Sequence, residues 1–389
     1  MFWISILGFR ISRLSIPASE TPTDQKRAIM QNKPNLRKAK MKLNSYLAED
    51  YENEPPLRTP AKQTQSNPNN PEQTQFQSHR LSRLLLAFTF LCPGYNLAMQ
   101  NWTIQKLLNW TTNYFTEKAI DSPRLSAELL LSHVLQLKRI ELYTQFDKPV
   151  AKQQLDTLHN LVNRAIKSEP VAYLTGKTEF YSMEFSVTPD CLIPRPETEL
   201  LVERAVEFLR TRTGTQLVCD LCTGCGCIVV AIAKNFPHAD IIATDICDVA
   251  LNMAAQNIQK HRLNDRIRLL CGDLFDPLIS HLDVAKFDLI VSNPPYVSDT
   301  EFEKLEKNVK DYEPKLALYA GTDGLDIYRR IIDKADQFLK PDAALMFEIG
   351  YAQGQAVKEM LEMTTAFEEI KIEKDFHNND RIAIAKKCI

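Results

Sequence analysis

The chain has 389 residues, 44% hydrophobic and 25% charged, with a formal net charge of −2. That is an ordinary globular composition, long enough for two or three domains, with no apolar run of transmembrane length. The charge is unevenly placed: residues 1–98 hold 13 Lys and Arg against 7 Asp and Glu, and the remainder holds 34 against 42. An acidic main body argues against a large nucleic-acid footprint, which needs a basic face.

Residues 1–98 also hold 9 of the 21 prolines, and Tyr51 to Gln77 is rich in Pro, Asn, Gln and Glu. Such a stretch cannot bury enough apolar surface to offset its ordering entropy, so a disordered extension is expected. Met99 is followed at once by a helix-like pattern, which suggests an over-called start with Met99 as the native one. A genuine targeting or regulatory extension is the alternative. Met1–Phe9 lacks a preceding basic region and a clean cleavage site, and Leu84–Cys92 is too short to span a bilayer. Nine cysteines, an odd number with several inside apolar runs, do not resemble a secreted disulfide framework. A soluble protein in a reducing compartment, the cytoplasm, is expected.

Residues 99–168 read as a small helical domain. Ile104, Leu107, Leu108, Trp110 and Tyr114 follow helical spacing, and Ser122-Pro123 makes a helix start with Ser as N-cap. Leu125, Leu129, Leu130, Val134 and Leu137 fall on one broad face of the second helix. A third helix is predicted over Ala151–Ser168. In residues 169–198, Phe180, Tyr181, Met183, Phe185 and Val187 alternate with polar residues, which predicts a β-hairpin linker. Residues 199–389 alternate strand with helix. Apolar runs suited to buried parallel strands fall at Leu217–Leu221, Ile241–Thr244, Ile267–Leu270, Leu289–Ser292 and Ala344–Ile349. Helical segments lie between most of them, so the expected fold is α/β, a doubly wound sheet with helices on both faces. Ligands of such sheets bind at the carboxyl ends of the strands.

Four strand ends carry chemistry. After the first, Val218-Cys219-Asp220-Leu221-Cys222-Thr223-Gly224-Cys225-Gly226-Cys227 runs from strand through a loop of small residues into a helix. Small residues let a backbone approach a ligand, and the helix start offers free N–H groups. A dinucleotide loop wants a third Gly or Ala where Val229 stands, which weakens a nicotinamide cofactor. The Cys219, Cys222, Cys225 spacing resembles some iron–sulfur sites, but no Cys-Pro ligand follows and Cys219 sits in a buried strand, so no metal is expected. A plain strand-to-helix turn is the structural alternative. Asp245 closes the second strand, 19 residues after Gly226, where an acid accepts from ribose hydroxyls or caps the next helix. Gly272-Asp273-Leu274-Phe275 follows the third strand, where an adenine would lie with Asp273 near its amino group. The fourth strand ends in Asn293-Pro294-Pro295-Tyr296. Two prolines stiffen the loop, and Pro294 holds Asn293 out of the helical region. The Asn293 side-chain oxygen and the Pro294 carbonyl then form an acceptor pair for an –NH₂ group, with Tyr296 able to stack on a planar substrate.

With these motifs in order, residues 99–389 resemble the release-factor glutamine N5-methyltransferase family (the HemK/PrmC family). Beyond Asn293–Tyr296, the resemblance rests on Leu192-Ile193-Pro194-Arg195-Pro196-Glu197-Thr198-Glu199, Tyr312-Glu313-Pro314, Ala317-Leu318, Gly321-Thr322-Asp323-Gly324-Leu325 and Asn379-Asp380-Arg381-Ile382. It implies a Rossmann-like class I methyltransferase domain preceded by a small all-α domain and the hairpin. It implies S-adenosyl-L-methionine as cofactor, held by Cys222, Thr223, Gly224, Cys225, Gly226, Asp245, Asp273, Leu274 and Asn293. It implies the Gly-Gly-Gln glutamine of peptide-chain release factors as substrate, held by Asn293, Pro294, Pro295 and Tyr296. The helical domain is expected to dock that partner. Cys222 stands where the family's loop begins with Gly, Cys225 also departs from the usual residue, and Leu274 replaces an aromatic found in some members. In-line transfer is expected, with proton loss late in or after methylation. An adenine-N6 DNA methyltransferase shares the Asn-Pro-Pro-Tyr type of run but needs a DNA-reading region, which residues 99–389 do not display. A glutamine methyltransferase of a large-subunit ribosomal protein differs at Arg195–Thr198. A non-catalytic module is disfavoured by the intact Asp245 and Asn293–Tyr296. No direct DNA contact and no membrane are expected.

Overall fold

A computed structural model describes residues 102–281 and 286–389; the expected extension 1–98, the start at Met99 and the Leu84–Cys92 run lie outside the described residues. The first helix, α1, is Ile104–Glu117, and the Thr103 hydroxyl accepts from the Lys106 N–H to begin it. Its buried residues, Ile104, Leu107, Leu108, Thr111 and Phe115, keep helical spacing. Trp110 and Leu125, expected on apolar faces, are instead exposed, and Trp110 stacks on Tyr114 at the bundle's surface. Helix α2, Pro123–Leu135, begins with Pro as predicted, but the Ser122 side chain makes no cap hydrogen bond. Ser122 adopts a left-handed backbone, which turns its hydroxyl away from the helix N–H groups. Two helices follow: α3, Arg139–Thr144, and α4, Lys152–Ala165, the latter ending before the predicted Ser168. One core joins them, with Leu108, Phe115, Leu130, Leu131, Leu142 and Val162 fully buried.

A short helix α5, Val171–Thr175, leads into the hairpin of β1, Lys177–Phe180, and β2, Met183–Ser186. Tyr181 and Ser182 between the strands both have positive φ, the two-residue turn whose twist suits a hairpin. Helix α6, Thr198–Arg210, then opens the sheet domain. The chain continues through β3, Gln216–Leu221; α7, Cys227–Asn235; β4, Ala239–Asp245; α8, Asp248–Lys260; β5, Ile267–Cys271; α9, Asp276–His281; and β6, Phe287–Ser292. Two single-turn helices, α10, Asp299–Phe302, and α11, Lys307–Lys310, precede α12, Asp326–Phe338, and β7, Leu339–Glu348. Helix α13, Gly354–Met363, and the strands β8, Phe367–Lys374, and β9, Asp380–Lys387, finish the chain.

The sheet order is β5-β4-β3-β6-β7-β9-β8, parallel from β5 to β7 and antiparallel through β9 and β8. Two cores fill its faces. Val218, Ile228 and Leu289 sit in one with the hairpin's Phe180 and Phe185, and Leu221, Phe287, Ile331 and Phe347 sit in the other. The register pairs Leu221 with both Thr244 and Ser292, and Ser292 with Phe347. The ends of β3, β4, β6 and β7 therefore form one row. Between β3 and β6 the strand order reverses direction, the crevice where such sheets bind ligands.

Candidate active site

The loop after β3 is held from two sides. The Asp245 carboxylate accepts from Gly224 N–H at 2.8 Å and from Cys247 N–H at 2.9 Å. Buried Asn257 of α8 donates to the Cys225 carbonyl at 2.9 Å and also exchanges hydrogen bonds with the Ser186 backbone of β2. Asp245 thus starts the turn into α8 and fixes the loop after β3, the structural one of its two readings. Burial raises its carboxyl above the usual range, opposed by the backbone N–H groups of Cys247 and Gly224. Gly226 caps α7 at φ +78, and a Cβ there would lie 3.1 Å from the Ala254 Cβ. Its left-handed angle and the tight packing of α7 on α8 both favour glycine here, a reason the loop motif did not disclose.

A cavity opens beside this loop. Cys222, Thr223, Gly224, Cys225, Asp245, Asp273, Leu274, Asn293 and Pro295 all line it, so predicted residues from four strand ends come together. Gly226, Pro294 and Tyr296 adjoin these residues in sequence but are not part of the lining. The Tyr296 hydroxyl lies within 3.4 Å of Glu348. Asp273 accepts from Arg330, which occupies part of the carboxylate expected at the adenine amino group. Leu274 is buried, and its carbonyl accepts from the Thr244 hydroxyl at 3.0 Å. Cys219 and Cys225 point into opposite cores of the sheet, and no cluster of three or more His, Cys, Asp or Glu among the described residues is arranged to hold a metal ion.

Several lining residues carried no assigned role in the sequence. Cys191, Leu192, Pro194 and Thr198 come from the linker before and into α6, and Ile246 and Cys247 from the turn after β4. The linker is clasped to the 312–314 turn by Arg195 and Glu313, 2.6 Å apart, with the Glu313 side chain almost wholly buried. Burial raises the Glu313 carboxyl, and Arg195 opposes the rise. Asp220 of β3 is fully buried, no group among the described residues meets full hydrogen-bond geometry at its oxygens, and burial pushes its carboxyl up to about 8, opposed by the nearby Thr223 hydroxyl. Glu348 of β7 is also buried, and burial pushes it up to about 7. A charged residue closing an apolar strand, as in Leu217–Leu221 and Ala344–Ile349, was the available signal for both.

Comparison with known proteins now adds to this geometry. A family model described as the PrmC N-terminal domain matches residues 106–176, and one described as the methyltransferase small domain matches residues 197–309. The release factor glutamine methyltransferase of Geobacter sulfurreducens is 43% identical over 263 residues, covering 68% of this chain and 89% of the relative. That of Rhodopirellula baltica is 40% identical over 290 residues, covering 74% and 97%. The chain belongs to the release factor glutamine methyltransferase family. A solved protein-(glutamine-N5) methyltransferase (release factor-specific) from Alicyclobacillus acidocaldarius is 28% identical, covers 53% of this chain and all of that one, and superposes with a TM-score of 0.32.

Membership makes the chain an S-adenosylmethionine-dependent methyltransferase, and the cavity fits that cofactor chemically. The group is cationic at sulfur and at its amino end, and Asp245 and Asp273 bring carboxylates to the wall while Cys225, Leu274 and Ile246 bring apolar surface. Among the described residues no Lys lines this cavity, and the one Arg that does, Arg330, is paired with Asp273.

Proposed function

We propose that this enzyme methylates the side-chain amide nitrogen, N5, of the glutamine in the Gly-Gly-Gln motif of peptide-chain release factors, and so modulates translation termination. The reading is carried by one observation: Asn293 and Pro295 share a single cavity wall with Gly224 and Asp245. The group that would hold the glutamine therefore adjoins the groups that would hold the cofactor. Cys222–Gly226, Asp245 and Leu274 would hold S-adenosylmethionine, with Asp245 accepting from its ribose hydroxyls. When bound, the cofactor supplies an electrophilic methyl group.

An amide nitrogen is a weak nucleophile because its lone pair is delocalised, so placement has to supply much of the rate. Effective placement can contribute up to ~7–11 kcal/mol. Asn293 Oδ1 would accept one N–H of the glutamine and the Pro294 carbonyl the other, which fixes the plane of the amide. Pro295 and Leu274 keep the neighbouring wall apolar, so water does not compete with the amide for the acceptors. The helical segment 99–168 would dock the release factor. Location in the cytoplasm belongs to the same reading, and no helix among the described residues is long and apolar enough to cross a membrane.

The test is transfer of a labelled methyl group to a release factor, to its Gln-substituted variant and to plasmid DNA. Label on the first alone is expected; label on DNA, or equal label on the Gln-substituted variant, overturns the reading. Asn293→Ala should lower turnover by about a hundredfold or more with cofactor affinity nearly unchanged. Equal loss of both would remove Asn293 from the role.

A further inference from the structure

Four side chains at and beside the cavity wall form a relay. The Thr198 hydroxyl lies 2.6 Å from Glu348 Oε2, the Asn293 amide nitrogen lies 3.1 Å from the Thr198 oxygen, and the Tyr296 hydroxyl lies 3.4 Å from Glu348 Oε1. An ionised carboxylate only accepts. Thr198 has one proton and gives it to Glu348, which leaves the Thr198 oxygen as an acceptor. Only the –NH₂ end of Asn293 can face an acceptor. The two ends of a carboxamide are nearly alike in size, so the hydrogen-bond network decides between them. Asn293 Oδ1 is thereby turned away from Thr198, and Asn293 lines the cavity.

We propose that Glu348, acting through Thr198, sets which end of the Asn293 carboxamide faces the cavity, and that Thr198 and Glu348 are positioning residues for the substrate nitrogen. The proposal rests on Asn293 as the holder of that nitrogen. An oxygen presented to the cavity accepts the N–H of an amide; an –NH₂ presented there would repel it. Protonation of Glu348 reverses the relay. A neutral Glu348 donates to Thr198, Thr198 donates to Asn293 Oδ1, and the carboxamide turns over.

The groups that face this carboxyl come from four elements: Thr198 and neighbouring Glu197 at the start of α6, Tyr296 after β6, Tyr328 of α12, and Arg381 of β9. Burial and Glu197 favour the neutral form; the Thr198 and Tyr296 hydroxyls and Arg381 favour the charged one. Tyr328 also fixes the strand end itself, donating to the Glu348 carbonyl at 3.2 Å. Their balance puts the reversal near neutral pH.

The experiment uses the full chain and the variants Thr198→Val, Thr198→Ser, Glu348→Gln and Asn293→Ala. It reads kcat, KM and cofactor affinity across pH, melting temperature, and the side-chain amide resonances of Asn293, which need no substrate. T198V should lower kcat by about tenfold or more, leave cofactor affinity within about twofold, and add little to the loss in N293A. T198S should restore the rate. Glutamine at 348 still offers an oxygen to Thr198, so E348Q should keep most of the rate at high pH and lose the acid limb of the wild type. The Asn293 resonances should titrate with that limb in the wild type and not in E348Q.

An acid limb and an Asn293 titration that persist in E348Q overturn the proposal, as does a folded T198V with unchanged kcat. Should T198V fail to fold, the E348Q profile decides. If the wild type labels no release factor, the functional reading falls, and the Asn293 titration still accepts or rejects the relay.

Discussion

Cys222 holds φ at +60, in the left-handed region that L-residues other than glycine rarely occupy. The family's loop begins with Gly at this position, and the backbone angle is the physical reason; Cys keeps the shape at some cost in strain. Gly226 has no such latitude, because its angle is left-handed and a Cβ would meet Ala254. Gly226→Ala is expected to destabilise the fold by about 2 kcal/mol or more, from backbone strain and the displaced α8 together. Thermal and urea denaturation check this, and an unchanged midpoint would show that α8 yields freely. At this scale the sequence disclosed Asp245 and the 222–226 loop, because strand, loop and helix are contiguous there. It did not disclose the partnership of Thr198 with Glu348, 150 residues apart, which only the order of strands brings together.

The parallel strands were legible because each is a largely apolar run, and the central ones are buried on both faces. The last two strands were not. In β8, Glu368, Glu369, Lys371 and Glu373 interrupt the apolar residues, as suits a strand at the sheet's edge, where charge discourages further pairing. Helices α5, α10 and α11 are four or five residues long, too short to show a period. The linker entering α6 and the 312–314 turn are joined by the Arg195–Glu313 pair, one partner half-exposed and the other buried. Arg195→Ala leaves that carboxylate buried alone and should cost about 2 kcal/mol. The expected result is faster proteolytic cleavage near residues 312–320 and weaker cofactor binding together. Stability lost without either local change would mean the pair does not organise the cavity wall.

For the whole molecule, the buried carboxyls shape the response to pH, and Asp220 and Glu348 are the most strongly raised of those described. Asp220 is pushed up to about 8 and Glu348 to about 7, both by burial first. Each therefore holds its proton more tightly folded than unfolded. Their contribution to stability is full below the ordinary carboxylate range and is lost as pH rises toward those values. Denaturation midpoints should decline between about pH 4 and pH 8, and Asp220→Asn should remove part of the decline, by about 1 kcal/mol or more at the alkaline end. A decline of equal size in D220N would locate the effect elsewhere.

The thiols add a last consequence. Cys191, Cys222, Cys225, Cys227 and Cys247 all line one cavity, whereas Cys271 lies exposed outside that wall. Of the five, Cys222 and Cys247 retain partial access to solvent. A small alkylating reagent would reach Cys247 through the cavity mouth, while burial raises the Cys222 thiol and keeps it unreactive; a bound occupant would shield Cys247 while Cys271 reacts regardless. The ratio of the two labels, read by mass spectrometry, is then an internal gauge of how many chains are loaded before any methyl group has moved.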